Sequence, residues 1–292
     1  MRKLLALVLL LVGVSFPAQA NTTPTVAIID VGFNASLFPN NVVAEVCIVS
    51  NAACPNGQRF QEGAGAASVS ANALPAFAHG TTMLSILTSV NPDAKVVLVR
   101  VLGMNTNGRA GGYTIDDITK ALVWIGNNSS RLNIKAVSVS QGKVNAPCRA
   151  TSELTGAVSS LKKQEVAVIA STGNEKNRTN IAVPACIDDV ISVGATDNPA
   201  SSGGAAWDTS VTPTIALYSN GSATTDFYTN GRFFHTAQNG SRQFAVGTSN
   251  ATAAFAGWWM KNLKSTINET YASFTTTTAS NQWLTGRYVF IP

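Results

Sequence analysis

Short β-branched and apolar runs recur along the chain and predict strands. Thr25 to Ile29 (TVAII) ends at Asp30, and Lys95 to Leu102 (KVVLVRVL) is a second run. Lys135 to Ser140 (KAVSVS), Glu165 to Ser171 (EVAVIAS) and Val190 to Val193 (VISV) follow. Between them lie segments with helical spacing. Thr114 to Ile125 has apolar residues at 115, 118, 122 and 125, behind Thr114 as an N-cap. Thr151 to Leu161 repeats the pattern more weakly. Strands alternating with helices predict an α/β fold: a three-layer, doubly wound, mostly parallel sheet with helices on both faces. Ligands gather at the carboxyl ends of such strands, and Asp30, Ser140 and Asn174 all fall at or just past strand ends. The tail from Ser265 to Pro292, rich in Thr, Ser and Asn, reads as a surface-wrapping end and not as a second domain.

The front of the chain is different in kind. Arg2 and Lys3 precede an apolar run from Leu4 to Phe16, and Ala18-Gln19-Ala20 follows as a cleavage signal. This is the layout of a secretory signal peptide over residues 1–20. The alternative, a membrane anchor, needs about 20 apolar residues. Residues 21–292 are then expected to form one domain, secreted or periplasmic, with no membrane association after cleavage. The formal net charge is +5, two units of which leave with Arg2 and Lys3. No run of Lys or Arg would track phosphates, so no nucleic-acid partner is expected. In an exported chain the four cysteines suggest two disulfides. Local order favours Cys47–Cys54 and Cys148–Cys186 among three possible pairings. A zinc site is the rival, but C-x-x-C spacing and neighbouring histidines are missing.

Four residues are candidates for chemistry, each with a plainer alternative. Ser249 follows small residues and precedes an Ala-rich helical run. A serine there has free N–H groups and a positive dipole end nearby, or is merely an N-cap. The chain holds two histidines. His79 starts a helix beside Gly80, whereas His235 sits among aromatics with no evident acid partner; either could be structural. Asp30 ends an apolar strand, where a buried carboxylate is costly unless paired; it could also simply open the turn Asp30-Val31-Gly32. Asn174 follows a strand and a glycine, and its neutral amide suits an oxyanion donor or a turn.

Asp, His and Ser occur in the chain order used by subtilisin. IIDVGF, HGTTMLSIL and VGTSNATAAFAG resemble the Asp, His and Ser motifs of the subtilase family of serine proteases, and STGNE resembles its oxyanion segment. VRVLGMNTNGRAGGYTIDDITKALVWI, AVSVSQGK and PACIDDVISVGATD resemble further parts of the family, and the likeness runs from about Thr25 to Trp259. It implies a subtilisin-like serine endopeptidase with Asp30, His79 and Ser249 as triad and Asn174 as oxyanion donor. Substrate peptide would add as a strand between Gly111-Gly112-Tyr113 and Ser140-Gln141-Gly142. The primary pocket would be walled by Ser140-Gln141-Gly142 and by Ala170-Ser171-Thr172-Gly173, with broad specificity leaning to apolar side chains. Glu175 would lie at the rim or be solvated.

The chain departs from the family pattern at Thr82, where a second His is usual, and at Ala253, where proline is usual. Only Asn21 to Pro24 separate the cleavage signal from the first strand, so no linked prodomain is expected. No metal or other cofactor is expected to be required, with a weak structural calcium site on a loop left open. The expected partners are polypeptide substrates, and the chain is expected to be a monomer. Two rivals are weighed: a catalytically weak or inactive subtilase-fold peptide binder, and an esterase. The esterase would want a G-x-S-x-G elbow and the order Ser, Asp, His. Several sequons, among them those at Asn34 and Asn220, matter only in a glycosylating host.

Overall fold

The computed structural model describes residues 23–144, 147–197 and 212–291. The expected signal peptide, residues 1–20, lies outside them. The strands are β1 (Thr25–Asp30), β2 (Val42–Ile48), β3 (Phe60–Glu62), β4 (Lys95–Arg100), β5 (Ile134–Val139), β6 (Lys143–Val144), β7 (Ala167–Ser171), β8 (Ala182–Val183), β9 (Val190–Asp197), β10 (Thr214–Ile215), β11 (Phe227–Asn230), β12 (Arg232–Thr236), β13 (Arg242–Val246), β14 (Thr276–Ser280) and β15 (Thr285–Val289). The helices are α1 (His79–Val90), α2 (Ile115–Leu132), α3 (Ser152–Lys163), α4 (Thr248–Lys261) and α5 (Ile267–Ala272).

Among the described residues, eleven strands form one sheet in the order β10-β14-β15-β11-β9-β7-β5-β1-β4-β2-β3. The seven from β2 to β11 run parallel to one another. Residue parity divides the core. Val26 and Ile28 of β1, with Val96 and Leu98 of β4, pack under α1 and α4. Ala27, Ile29, Val97 and Val99 face the other way, onto α2 and α3. Each such buried side chain contributes about 1.5–3 kcal/mol. The result is the expected three-layer α/β architecture. Parity also puts the last residue of β1, Asp30, on the α1/α4 face, where the helix that begins with His79 lies.

Local signals account for the helix starts. Thr114 accepts from Asp117 N, and the Asp117 carboxylate accepts from Thr114 N, so α2 opens on a reciprocal capping box. The helix continues past Ile125 to Leu132 and closes at Asn133, whose φ is 49°. Thr151 caps α3 by one bond alone, its hydroxyl accepting from Leu154 N at 3.2 Å.

The tail differs from its expectation. It does not merely wrap the surface. Its strands β14 and β15 enter the main sheet beyond β11, and β10 pairs with both β14 and the end of β9. Ile215, Tyr228, Ala279, Leu284 and Tyr288 fill this end of the sheet with a separate small core. The polar Thr-rich pattern conceals these strands because the outward positions of β14 and β15 remain exposed.

Both cysteine pairs are those that local order favours, Cys47–Cys54 and Cys148–Cys186, and no cysteine is free. They span 7 and 38 residues. Loop-closure entropy assigns about 2 kcal/mol to the shorter link and about 4 kcal/mol to the longer. A Cys148→Ala/Cys186→Ala double variant is therefore expected to lose about 1.5 kcal/mol more stability than Cys47→Ala/Cys54→Ala. Urea unfolding followed by circular dichroism measures both, and the reverse ranking would contradict the entropic account. Among the described residues, no helix is long and apolar enough to cross a membrane.

Candidate active site

The site is built where β1, β5 and β7 end beneath the first turns of α1 and α4. Asp30 is 0% exposed. Its Oδ1 accepts from Val31 N at 2.7 Å and from Gln141 Nε2 at 3.0 Å. His79 Nδ1 lies 2.9 Å from both Oδ1 and Oδ2. An ionised carboxylate only accepts, so Nδ1 carries the ring proton and Nε2 of the neutral imidazole is left as a base. Burial on its own lowers the His79 pKa, but the charge and hydrogen bond of Asp30 together outweigh it and raise the value above the usual 6.5. The side chain is still 40% exposed, so one face of the ring remains accessible.

Gly80 makes this contact possible. A Cβ there would stand 2.3 Å from Gly32 O and 3.1 Å from the Asp30 Cβ. Only glycine lets the first turn of α1 come so close to the end of β1.

Ser249 is the second residue of α4, and the first-turn N–H groups of that helix lack intrahelical acceptors. Thr248 N and Oγ1 donate to Asn174 Oδ1 at 2.9 and 3.0 Å. This pins the amide oxygen of the exposed Asn174 to the helix start, and its NH2 has no hydrogen-bond partner among the described residues. Gly173, with φ of 98°, swings the chain from β7 into this position. Asn220, 0% exposed, braces the same loop. Its Oδ1 accepts from Glu175 N at 3.0 Å and Asn177 N at 2.8 Å, and its Nδ2 donates to Thr172 O and to the Glu175 carboxylate.

Residues 140 and 141 join the two halves. Ser140 Oγ donates to Ser249 O at 3.4 Å, and Ser171 Oγ donates to Ser140 O at 3.2 Å. Gln141 turns its side chain inward, 3.0 Å from Asp30 Oδ1 and 3.2 Å from His79 Nδ1. The Ser249 hydroxyl forms no hydrogen bond among the described residues, to His79 or to another group.

The remaining expected residues are distributed around this centre. Gly111 N donates to Gly103 O at 2.9 Å, and Gly112 continues the loop to Tyr113. Tyr113 Oη donates to Gly142 O at 3.3 Å, so the two expected substrate edges meet across the cleft. Burial and the nearby charges of Asp30 and Glu175 push the Tyr113 phenol up, so it stays a donor. Glu175 is exposed at the rim, and its carboxylate accepts from Asn220 Nδ2. The second histidine, His235, is buried, with Nδ1 unpartnered among the described residues. Burial and the proximity of His79 lower its pKa, so it stays neutral. Thr236 N donates to Ser85 Oγ at 2.8 Å, seating its strand on α1. Asn34 and Asn220, two of the several sequon asparagines, are both buried with their amides in use.

Sequence reading did not anticipate Gln141 as a partner of Asp30, nor Asn220 as the brace of the Asn174 loop. Gln141 lies 111 residues from Asp30 and Asn220 lies 45 from Glu175, so no local pattern announces either. No group of three or more His, Cys, Asp or Glu side chains suited to a metal occurs among the described residues.

A family model described as the subtilase family matches residues 21–286. Solved structures share the fold at low identity. Proteases from Pseudoalteromonas arctica are 19% identical with a TM-score of 0.67, over 93% of this chain and 88% of theirs. A cold-adapted subtilisin-like serine proteinase is 18% identical with a TM-score of 0.65, over 94% and 92%. An epidermin leader peptide processing serine protease from Staphylococcus aureus is 20% identical with a TM-score of 0.64, over 87% and 70%.

Proposed function

The chain belongs to the subtilase family, and from that premise we propose that it is a secreted serine endopeptidase with Asp30, His79 and Ser249 as its triad. The observation that carries this reading is the buried Asp30 carboxylate held 2.9 Å from His79 Nδ1. Ser249 attacks the scissile carbonyl while His79 Nε2 takes its proton. Asp30 stabilises the imidazolium, and the proton then passes to the leaving amine. Asn174 Nδ2 and the Ser249 N–H receive the oxyanion. Water, losing a proton to His79 Nε2, then attacks the acyl carbon, and Ser249 Oγ leaves and takes that proton back. These roles need no metal or other cofactor, and all of them fall within one chain, which supports action as a monomer. Export through residues 1–20 is supported by the two disulfides.

A second reading, a peptide binder with little catalysis, is favoured by the unbonded Ser249 hydroxyl. Catalytic hydrogen bonds often tighten only when substrate is bound, so labelling with a fluorophosphonate decides between the two. Rapid, single-site modification at Ser249 supports the endopeptidase; an inert Ser249 beside measurable peptide binding supports the binder.

Replacing Asn174 by alanine is expected to lower kcat by about 10²–10³-fold, equivalent to about 3–4 kcal/mol, with KM little changed. A KM effect with intact kcat would remove Asn174 from the oxyanion site.

The pH dependence follows from His79. Only the neutral ring can accept the serine proton, so kcat/KM rises with pH through the His79 pKa. Its midpoint is expected above 6.5. The Gln141 amide faces Nδ1 with its positive end, 3.2 Å away, and disfavours the imidazolium. Gln141→Leu is therefore expected to move the acid limb upward by about 0.5 pH unit. An unmoved or lowered midpoint in the pH–rate profile would contradict this arrangement.

A further inference from the structure

At the carboxyl end of β4, Arg100 is 4% exposed, and no carboxylate among the described residues pairs with it. Its Nε donates to Leu102 O at 2.6 Å and its Nη1 to Ser68 O at 3.3 Å. The guanidinium lies over the Phe77 ring, 4.6 Å from the centroid. Burial pushes its pKa down to about 10, so it is charged at neutral pH. A buried cation without an acid is costly, and a carboxylate is its best compensation.

The same side chain lines a cavity of about 570 Å³, walled by Val69, Leu74, Phe77 and Met104 and edged by the exposed Asn72. Its walls adjoin, in the chain, the segments that carry Asp30 and His79. Phe77 is two residues before His79. A Cβ on Gly32 would stand 3.0 Å from Val69 and 3.3 Å from Phe77. Met104 belongs to the loop that runs on into Gly111–Tyr113. Two of the five guanidinium N–H groups serve carbonyls, which leaves others for a ligand.

We propose that this cavity is a specificity subsite for an acidic side chain of the peptide substrate, with Arg100 as the cation that receives its carboxylate. The apolar walls take the methylenes of the side chain, and a basic side chain is repelled. The proposal rests on the endopeptidase reading for its substrate.

Internally quenched peptides that differ only by Glu or Gln, walked along the sequence, test it. The wild type is expected to favour Glu about tenfold in kcat/KM at one position. Arg100→Gln is expected to erase that preference, and Arg100→Lys to retain part of it. Equal treatment of Glu and Gln at every position overturns the proposal while leaving the protease intact. So does a folded Arg100→Gln variant that keeps the preference. If no peptide is cleaved, the endopeptidase reading falls. Fluorescence anisotropy with Ser249→Ala then decides the subsite: tighter binding of the Glu peptide upholds it, and equal binding overturns it.

Discussion

Ser249→Ala is expected to lower kcat by about six orders of magnitude while leaving substrate affinity and fold in place. Without the hydroxyl, His79 has nothing to deprotonate and no acyl-enzyme can form. The residual rate comes from the oxyanion donors and substrate positioning alone. The variant should fold normally, because the hydroxyl forms no hydrogen bond among the described residues and its removal leaves no partner stranded. Casein digestion, fluorescence anisotropy with a labelled peptide and a urea melt, run beside the wild type, read the three claims separately. A loss under tenfold in a folded variant would identify a different nucleophile and end the triad assignment.

Asp30→Asn should cost about 10⁴-fold in kcat, through the tautomer of the ring and not its position. Oδ1 of Asp30 accepts from Val31 N and Gln141 Nε2. An asparagine there would keep its oxygen on those two donors and turn its NH2 toward His79. Nδ1 must then accept, the ring proton moves to Nε2, and the base facing Ser249 is gone. The downfield Nδ1–H resonance of the wild type should vanish from the proton NMR spectrum of the variant. Near-wild-type activity with that resonance retained would show that Asp30 does not set the tautomer.

The layered fold is legible because the parallel strands are buried on both faces and leave nearly continuous apolar runs, as in Val26 to Ile29. Helix starts are legible through Thr114 and Thr151, but the last turns of α2 are not. Gly126, Asn127, Asn128, Ser129 and Ser130 are poor helix formers, held helical by tertiary contacts. One such contact is the hydrogen bond from Ser129 to Gln164. The candidate acid, base and nucleophile stand out because short motifs carry them. Their supports do not: Gln141 and Asn220 matter through amide orientations fixed by residues far away in the chain. The strands of the tail are hidden for a different reason, since half of each faces water and polar threonine serves that face well.

The return of β10 to β9 has a consequence for how the molecule meets its own copies. A sheet normally ends in an open row of N–H and C=O groups that can recruit another chain. Here the tail curls one end of the sheet nearly into a ring, and among the described residues the other end finishes at the three-residue β3. Such a molecule presents little template for intermolecular strand pairing, so it should stay dispersed at concentrations where flat-edged sheets would assemble into fibrils.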